Sequence, residues 1–432
     1  MTYRWIVALV AASALVGAGL AGEPALPAAV MERPLVPTSP CCPAPAEAPD
    51  CGATWFAADY LLSYVYGSRL PVLVTTNPAD TPRGIAGILG NPTTVPLFFG
   101  RVNADERSGL RVQGGYWFDE GHRCGLEAGG SVIESQSTLF SGFNRGDAIL
   151  ARPYVNVLNQ ETNARIIEAN RQNPPPAGNP PPALLPIHEA VLVTFPNASS
   201  GGITARVTSG NFYEAHIDVS DNFWDEGWLR IDGLLGYRMY RYDEGLRFRQ
   251  VSTVTNDPNL PAGTTVFAGD DFSTQNEFHG VDLGIRGTFR RDNLTVEVLA
   301  KVAGGNLRRR VDISGGQQVT VPGAAPELRV GGVFALASNI GRYEFNDLAA
   351  LPELGFTVRY QVTDYLRLRA GYNILFLENV SRAAQQIDST LNPNLFPGSG
   401  VPAAGQTQRP APTNEKDNVW IMNVGLGLEV MF

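Results

Sequence analysis

Charged side chains recur at every second position along several apolar segments, and these are the residues that could do chemistry. One histidine, His216, stands among them between Glu214 and Asp218. Side chains at this spacing share one face of a β-strand. The candidates for a polar, pore-lining face are Arg111, Glu127, Arg206, Glu214, His216, Asp218, Arg230, Asp232, Arg238, Asp282, Arg286, Glu297, Lys301, Arg359, Arg367, Arg369 and Glu429.

Such a set of charges has two uses inside a barrel. In an open pore the charges line the constriction and set ion selectivity. In a narrow barrel they pair with one another across the interior and fill it. Positive and negative candidates nearly balance here, so the sequence leaves both alternatives open.

Catalysis and metal binding are weakly supported by the same residues. Glu214, His216 and Asp218 share a face and could contact a metal ion, but strand neighbours two apart are weak evidence for a site, so we expect a hydrogen-bonded structural histidine. No spacing of Ser, His and Asp singles out a nucleophilic set, and no phosphate-binding, zinc or calcium motif is present. We therefore predict no catalytic residue, metal or cofactor, and no enzyme.

The elements that would hold these side chains are strands, each with an apolar face opposite the charged one. In the segment 203–220, for example, Ile203, Ala205 and Val207 are predicted to share a face with Tyr213 and Ile217. Comparable alternation occurs at 55–66, 110–118, 124–132, 228–242, 281–290, 294–302, 354–362, 366–376 and 419–432.

Long and short connections alternate between these segments, and the short ones fall near 119–121, 221–227, 291–293 and 363–364. Outer-membrane barrels have short periplasmic turns and long extracellular loops. The sequence therefore predicts an all-β, transmembrane, antiparallel up-and-down barrel of about ten strands. The alternative is twelve, if 134–202 adds a membrane hairpin. A secreted β-sandwich would also alternate, but it would need an interdomain linker that the strand region lacks.

The final segment is predicted to close the ring beside the first. Its apolar face includes Trp420, Val424, Leu426, Leu428 and Phe432. A terminal Phe after alternating apolar residues resembles the last strand of bacterial outer-membrane barrels. We expect this strand to contact the barrel-assembly machinery and outer-membrane lipid.

The first residues predict export. Arg4 precedes an apolar run from Ile6 to Leu20, which is typical of a cleaved signal peptide at 1–21. We predict that residues 22–52 are a Pro/Ala-rich periplasmic linker and that the barrel occupies 53–432. A linker disulfide from Cys41 or Cys42 to Cys51 is favoured over a zinc site, and the pairing of Cys124 is open.

Composition limits the partners. The net charge is -9, and no basic face stands out against this acidic background. We therefore expect no nucleic-acid partner. Oligomeric state is not indicated.

Four stretches resemble a known family: 58–76, 108–129, 334–346 and 371–388. Ser338-Asn339-Ile340-Gly341 followed by Tyr343 is the most specific feature. These stretches are similar to the outer-membrane β-barrel porin family known chiefly from planctomycete bacteria, the seventh family under that porin name. The resemblance covers 54–432 and implies an outer-membrane barrel, with no catalytic residues.

Two functions follow as expectations. The first is a porin-like channel for small hydrophilic solutes or ions in the bacterial outer membrane. The alternative is a closed barrel that acts as a structural or surface-interaction scaffold through its external loops. A sealed lumen would favour the scaffold, whereas a hydrated gap between the inward charges would favour transport.

Overall fold

The computed structural model describes residues 54–173, 180–400 and 405–432. The predicted signal peptide and linker, with Cys41, Cys42 and Cys51, lie outside the described residues. The strands are β1 (Thr54–Val65), β2 (Ser68–Thr76), β3 (Val95–Val102), β4 (Glu106–Trp117), β5 (Cys124–Ile133), β6 (Gln136–Asn144), β7 (Leu150–Asn156), β8 (His188–Thr194), β9 (Ser199–Asp225), β10 (Leu229–Val254), β11 (Thr265–Arg291), β12 (Leu294–Thr320), β13 (Glu327–Val330), β14 (Gly341–Thr363), β15 (Leu366–Val380), β16 (Thr390–Leu391) and β17 (Asp417–Met431).

Helical elements lie only in the connections among the described residues. One α-helix, α1 (Val157–Gln172), starts at Asn156, whose side chain accepts hydrogen bonds from two backbone N–H groups of the first turn. Three short 3₁₀ helices cover Arg83–Ile85, Ala383–Gln386 and Pro393–Leu395. α1 is not among the elements that the sequence predicts.

Ten strands close into an antiparallel barrel in the order β1, β4, β5, β9, β10, β11, β12, β14, β15, β17. β17 pairs with β1, with Leu426 opposite Tyr60, so the ring closes as predicted. β5 pairs with residues 212–221 of β9, and β6 pairs with residues 201–209 of the same strand. β6 therefore lies end to end with β5 and adds no membrane hairpin. The alternative of twelve barrel strands is therefore wrong.

The two ends of the barrel differ. The four short connections, at 118–123, 226–228, 292–293 and 364–365, lie at one end, here called the turn end. At the loop end, β9 to β12 run for 26 or 27 residues, much longer than the 12 residues of β1 and β4. A membrane-spanning strand needs only about 9–11 residues, so these strands continue well beyond the membrane.

The projecting strands pack against a second sheet to form a body at the loop end. This sheet has the order β16, β7, β2, β3, with β8 beside β7. Its buried Leu73, Val74 and Phe98 share one apolar core with Ile203, Val207 and Phe248 of the long strands. Residues 67–106 and much of 134–202, which the sequence predicts only as long connections between the alternating segments, are thus built into this loop-end body.

Candidate functional site

Ion pairs cross the barrel lumen near the turn end. Glu429 of β17 contacts three arginines: its Oε2 lies 3.0 Å from Arg359 Nε and 3.1 Å from Arg369 Nη1, and its Oε1 lies 3.0 Å from Arg367 Nη1. Arg359 also donates to Glu297, at 2.9 Å. A buried charge is stable when it is paired and hydrogen-bonded, and this group meets that condition.

A second group of charges lies deeper along β9 to β14. Lys301 Nζ is 2.6 Å from both Asp218 Oδ2 and Asp282 Oδ2. Arg238 contacts Glu214 at 2.9 Å and Glu353 at 2.6 Å. All six side chains are under 10% exposed, so cations and anions neutralise one another with little room for water.

His216 belongs to this group. Its Nδ1 is 2.9 Å from Glu214 Oε1, which also accepts from Arg238. No group of His, Cys, Asp and Glu side chains in the described ranges has the arrangement of a metal site. The geometry fits the structural histidine that the sequence favoured.

A chamber of about 400 Å³ opens at the turn end, below the ion pairs. Trp117 and His122 stack at one side, with ring centroids 5.5 Å apart, and Arg230 lies over the Trp117 ring. Burial and the neighbouring Arg230 hold the pKa of His122 below its usual value, which favours the neutral form of the ring. The chamber ends at Glu127, Glu297 and Glu429, which are already paired.

An apolar layer crosses the lumen between the ion pairs and the loop end. Nine of the ten barrel strands contribute to it. Tyr240 stacks on Phe278 at 5.2 Å, and Leu307, Leu377 and Ile421 are fully buried beside them. A hydrated channel would leave such side chains exposed to water, so the layer closes the lumen.

The connection between β15 and β17 folds into the barrel above this layer. Arg382 Nη2 is 2.7 Å from Glu244 Oε1, and both side chains are 1% exposed. Arg382 also donates to the carbonyl of Gly67, while the Ser381 backbone donates to Asn276 Oδ1. This inserted segment, Ser381–Gln386, forms a plug.

The structure places all but one of the predicted pore-lining residues on the inner face. Those that meet in the ion-pair groups or beside the turn-end chamber are Arg111, Glu127, Glu214, His216, Asp218, Arg230, Asp232, Arg238, Asp282, Arg286, Glu297, Lys301, Arg359, Arg367, Arg369 and Glu429. On the closing strand, Trp420, Val424, Leu426, Leu428 and Phe432 are exposed on the outer face.

Arg206 is the exception, and its predicted inward direction is wrong. It is exposed on the outer face of the loop-end body, whereas Ile203, Ala205 and Val207 are buried inside. The register between β9 and β10 shifts between Tyr242 and Glu244, which marks an extra residue in β9. Such a bulge reverses inside and outside positions on one side of it relative to the other, so 203–207 do not continue the alternation of 213–219.

Sequence reasoning missed several inward charges. Glu353 lies just before the predicted alternating segment 354–362, yet β14 continues through this point, with Pro352 opposite Val302. Asp59, which pairs with Arg111 at 2.9 Å, is absent from the candidate set although it lies within the alternating segment 55–66. Glu244 and Arg382 lie in segments without a sustained pattern, so only the fold could bring them together.

No helix in the described part of the chain combines the length and apolar character required to cross a membrane. The family described as "Putative beta barrel porin-7 (BBP7)" matches residues 55–432. The chain belongs to this family. No curated protein is similar enough in sequence to be matched.

Solved structures that match the chain do so at low sequence identity and with TM-scores below 0.5. The outer-membrane protease OmpT of Escherichia coli is 10% identical, with 90% of this chain and 99% of that chain covered and a TM-score of 0.39. A FadL homologue of Pseudomonas aeruginosa is 10% identical over 89% and 90% of the two chains, with a TM-score of 0.22. An anion-selective porin from Comamonas acidovorans is 10% identical over 88% and 99%, with a TM-score of 0.14.

Proposed function

We propose that this porin-family barrel is closed to solutes and acts as an outer-membrane scaffold for its loop-end body. The observation that carries the proposal is the apolar layer, in which Phe278, Leu307 and Ile421 are each 0% exposed. An ion crossing this layer would have to lose its hydration shell. The desolvation free energy would be several kcal/mol for each ion. The ion pairs below and the plug above reinforce the closure.

The loop-end body has the construction of a folded domain. Arg152 is fully buried between the rings of Phe248 and Phe334, 4.5 Å from each centroid, and its Nη1 is 2.7 Å from Asp270 Oδ2. Asp270 Oδ1 accepts three backbone hydrogen bonds from 333–335. A rigid surface of this kind suits the presentation of binding residues on a membrane support.

The motif Ser338-Asn339-Ile340-Gly341 contributes to the same rigidity of the loop-end body. Asn339 accepts a hydrogen bond from the Leu336 N–H at 2.8 Å and donates to the Phe334 carbonyl at 3.0 Å, and its own carbonyl accepts from Tyr343 Oη. The side chain is 0% exposed. The motif therefore shapes the turn that holds the backbone N–H groups against Asp270.

A second candidate function is a channel for small hydrophilic solutes or ions. The family description and the charged turn-end chamber support it. Under this alternative the plug and the apolar layer would have to move, because the chamber ends at paired side chains. No enzymatic activity is proposed.

A liposome-swelling assay tests the choice between these functions. Protein refolded into vesicles is exposed to a small neutral sugar, and insertion is verified beforehand by the heat-dependent shift of folded barrels on gels. A closed scaffold gives the swelling rate of protein-free vesicles. A rate that rises with protein amount, as for a general porin, would overturn the closed-lumen proposal and support the channel.

A further inference from the structure

Two arginines face each other directly in the outer sheet of the loop-end body. Arg69 of β2 lies opposite Arg101 of β3 in the antiparallel register, and both are exposed on the same face. Like charges directly opposite each other destabilise a strand pair. No ion pair joins either arginine to an acid in the part of the chain that the structure describes, so the repulsion is uncompensated by the protein.

Two other exposed arginines near the loop end do have acidic partners. Arg308 pairs with Glu344 at 2.8 Å, and Arg247 pairs with Asp271 at 2.9 Å. An acid on the same outer surface therefore neutralises each of these two arginines. Arg69 and Arg101 instead present two guanidinium groups outward, an arrangement suited to an anion from outside the chain.

Tyr66 fixes one of these guanidinium groups. Arg101 Cζ lies 3.9 Å from the centroid of the Tyr66 ring, and Arg101 Nη2 also donates to Tyr66 Oη. This stacking and hydrogen bond hold the side chain in place before any ligand arrives, which lowers the entropy cost of binding.

The site lies at the aromatic boundary of the barrel wall. Tyr66 directly follows β1 and is partly buried against the apolar layer, and its backbone N–H donates to the Trp420 carbonyl. Trp420 packs on Phe376, with ring centroids 4.4 Å apart. Belts of Tyr and Trp mark the level of lipid headgroups in membrane proteins.

We propose that Arg69 and Arg101 bind the phosphate of a lipid headgroup at the loop-end surface of the membrane. Guanidinium groups bind phosphate oxygens with paired hydrogen bonds, and two together neutralise a phosphate dianion. The headgroup removes the repulsion across β2 and β3, while the acyl chains lie along the exposed faces of Tyr60 and Leu62. This site goes beyond the proposed scaffold function and does not depend on whether the lumen is closed.

Lipid retention measured by native mass spectrometry tests the site. The full-length folded protein is released from detergent micelles doped with phosphatidic acid, or with diacylglycerol that has the same acyl chains and no phosphate. The double variant Arg69→Gln/Arg101→Gln is compared with Arg206→Gln/Arg247→Gln. The control pair is also directly opposed and exposed, but Arg247 is already paired with Asp271.

The wild-type protein and the control variant are expected to retain one phosphatidic acid. Its apparent affinity should fall about fivefold for each arginine lost, or about 30-fold in the Arg69→Gln/Arg101→Gln variant. Equal retention of diacylglycerol, or equal loss in both double variants, would overturn the proposal. Inorganic phosphate that displaces phosphatidic acid at equal concentration would overturn a lipid site and identify a free-anion site.

Discussion

Replacing Asp270 by Asn should break the loop-end body while leaving the barrel folded. Asp270 and its partner Arg152 are both 0% exposed, so the variant leaves an uncompensated cation between two aromatic rings. Removing one partner of a buried ion pair costs about 3–5 kcal/mol. The three backbone hydrogen bonds to Oδ1 can persist with an amide oxygen, so the charge accounts for most of this cost.

The neighbouring residue provides a matched control. Asp271 is 34% exposed and pairs with Arg247 and Arg249 on the outer surface. An exposed pair contributes about 0–1 kcal/mol, so Asp271→Asn should leave stability nearly unchanged. Hydrogen exchange of the 333–335 amides is the assay, and it should accelerate by about 150-fold or more only in Asp270→Asn. Equal exchange in the two variants would refute the reasoning.

The double variant Arg152→Met/Asp270→Leu separates charge from packing. Replacing a buried ion pair by apolar residues of similar size is often neutral or stabilising. We expect this variant to recover much of the stability that Asp270→Asn loses, measured by the same amide exchange. Failure to recover would show that the hydrogen bonds of Asp270, and not its charge balance, maintain the body.

Three further substitutions probe the lumen and the motif. Asn339→Ala removes two buried hydrogen bonds and should cost about 1–3 kcal/mol, measured as faster amide exchange in 336–340. Lys301→Met leaves two buried carboxylates without their ammonium partner and should lower barrel stability by about 3–5 kcal/mol, seen as a lower temperature of the gel-mobility transition. Gly236→Ala would place a Cβ 2.1 Å from the Ile217 carbonyl oxygen, so this variant should lower the same transition, whereas Gly304→Ala, which meets nothing within 4 Å, should not.

The barrel could be predicted from the sequence because each membrane strand must repeat the same two-faced pattern. Strand number, short turns and ring closure followed from that repetition. The ion-pair partners did not, since the pairing of Glu127 with Arg286 joins residues 159 positions apart. Alternation gives the face of each side chain but not its height or its partner across the lumen.

The loop-end body could not be predicted for a different physical reason. β2 and β3 contain prolines at 71 and 96, and their pairing has two register shifts. The alternation of apolar and polar residues is therefore interrupted at the points where the strand pairing is interrupted. Arg206 was assigned to the wrong face because a bulge has no distinct mark in an alternating run. Both errors arise where tertiary packing, and not periodicity, selects the conformation.

Single-channel recording of refolded protein in a planar bilayer tests the closed lumen most directly. With insertion verified independently, we predict no conductance steps for the wild-type protein, because the apolar layer and the plug interrupt the path. Reproducible steps would contradict the account. Steps whose ion selectivity changes in Arg369→Glu, on the inner face, but not in Arg247→Glu, on the outer surface, would establish a pore through the charges described above.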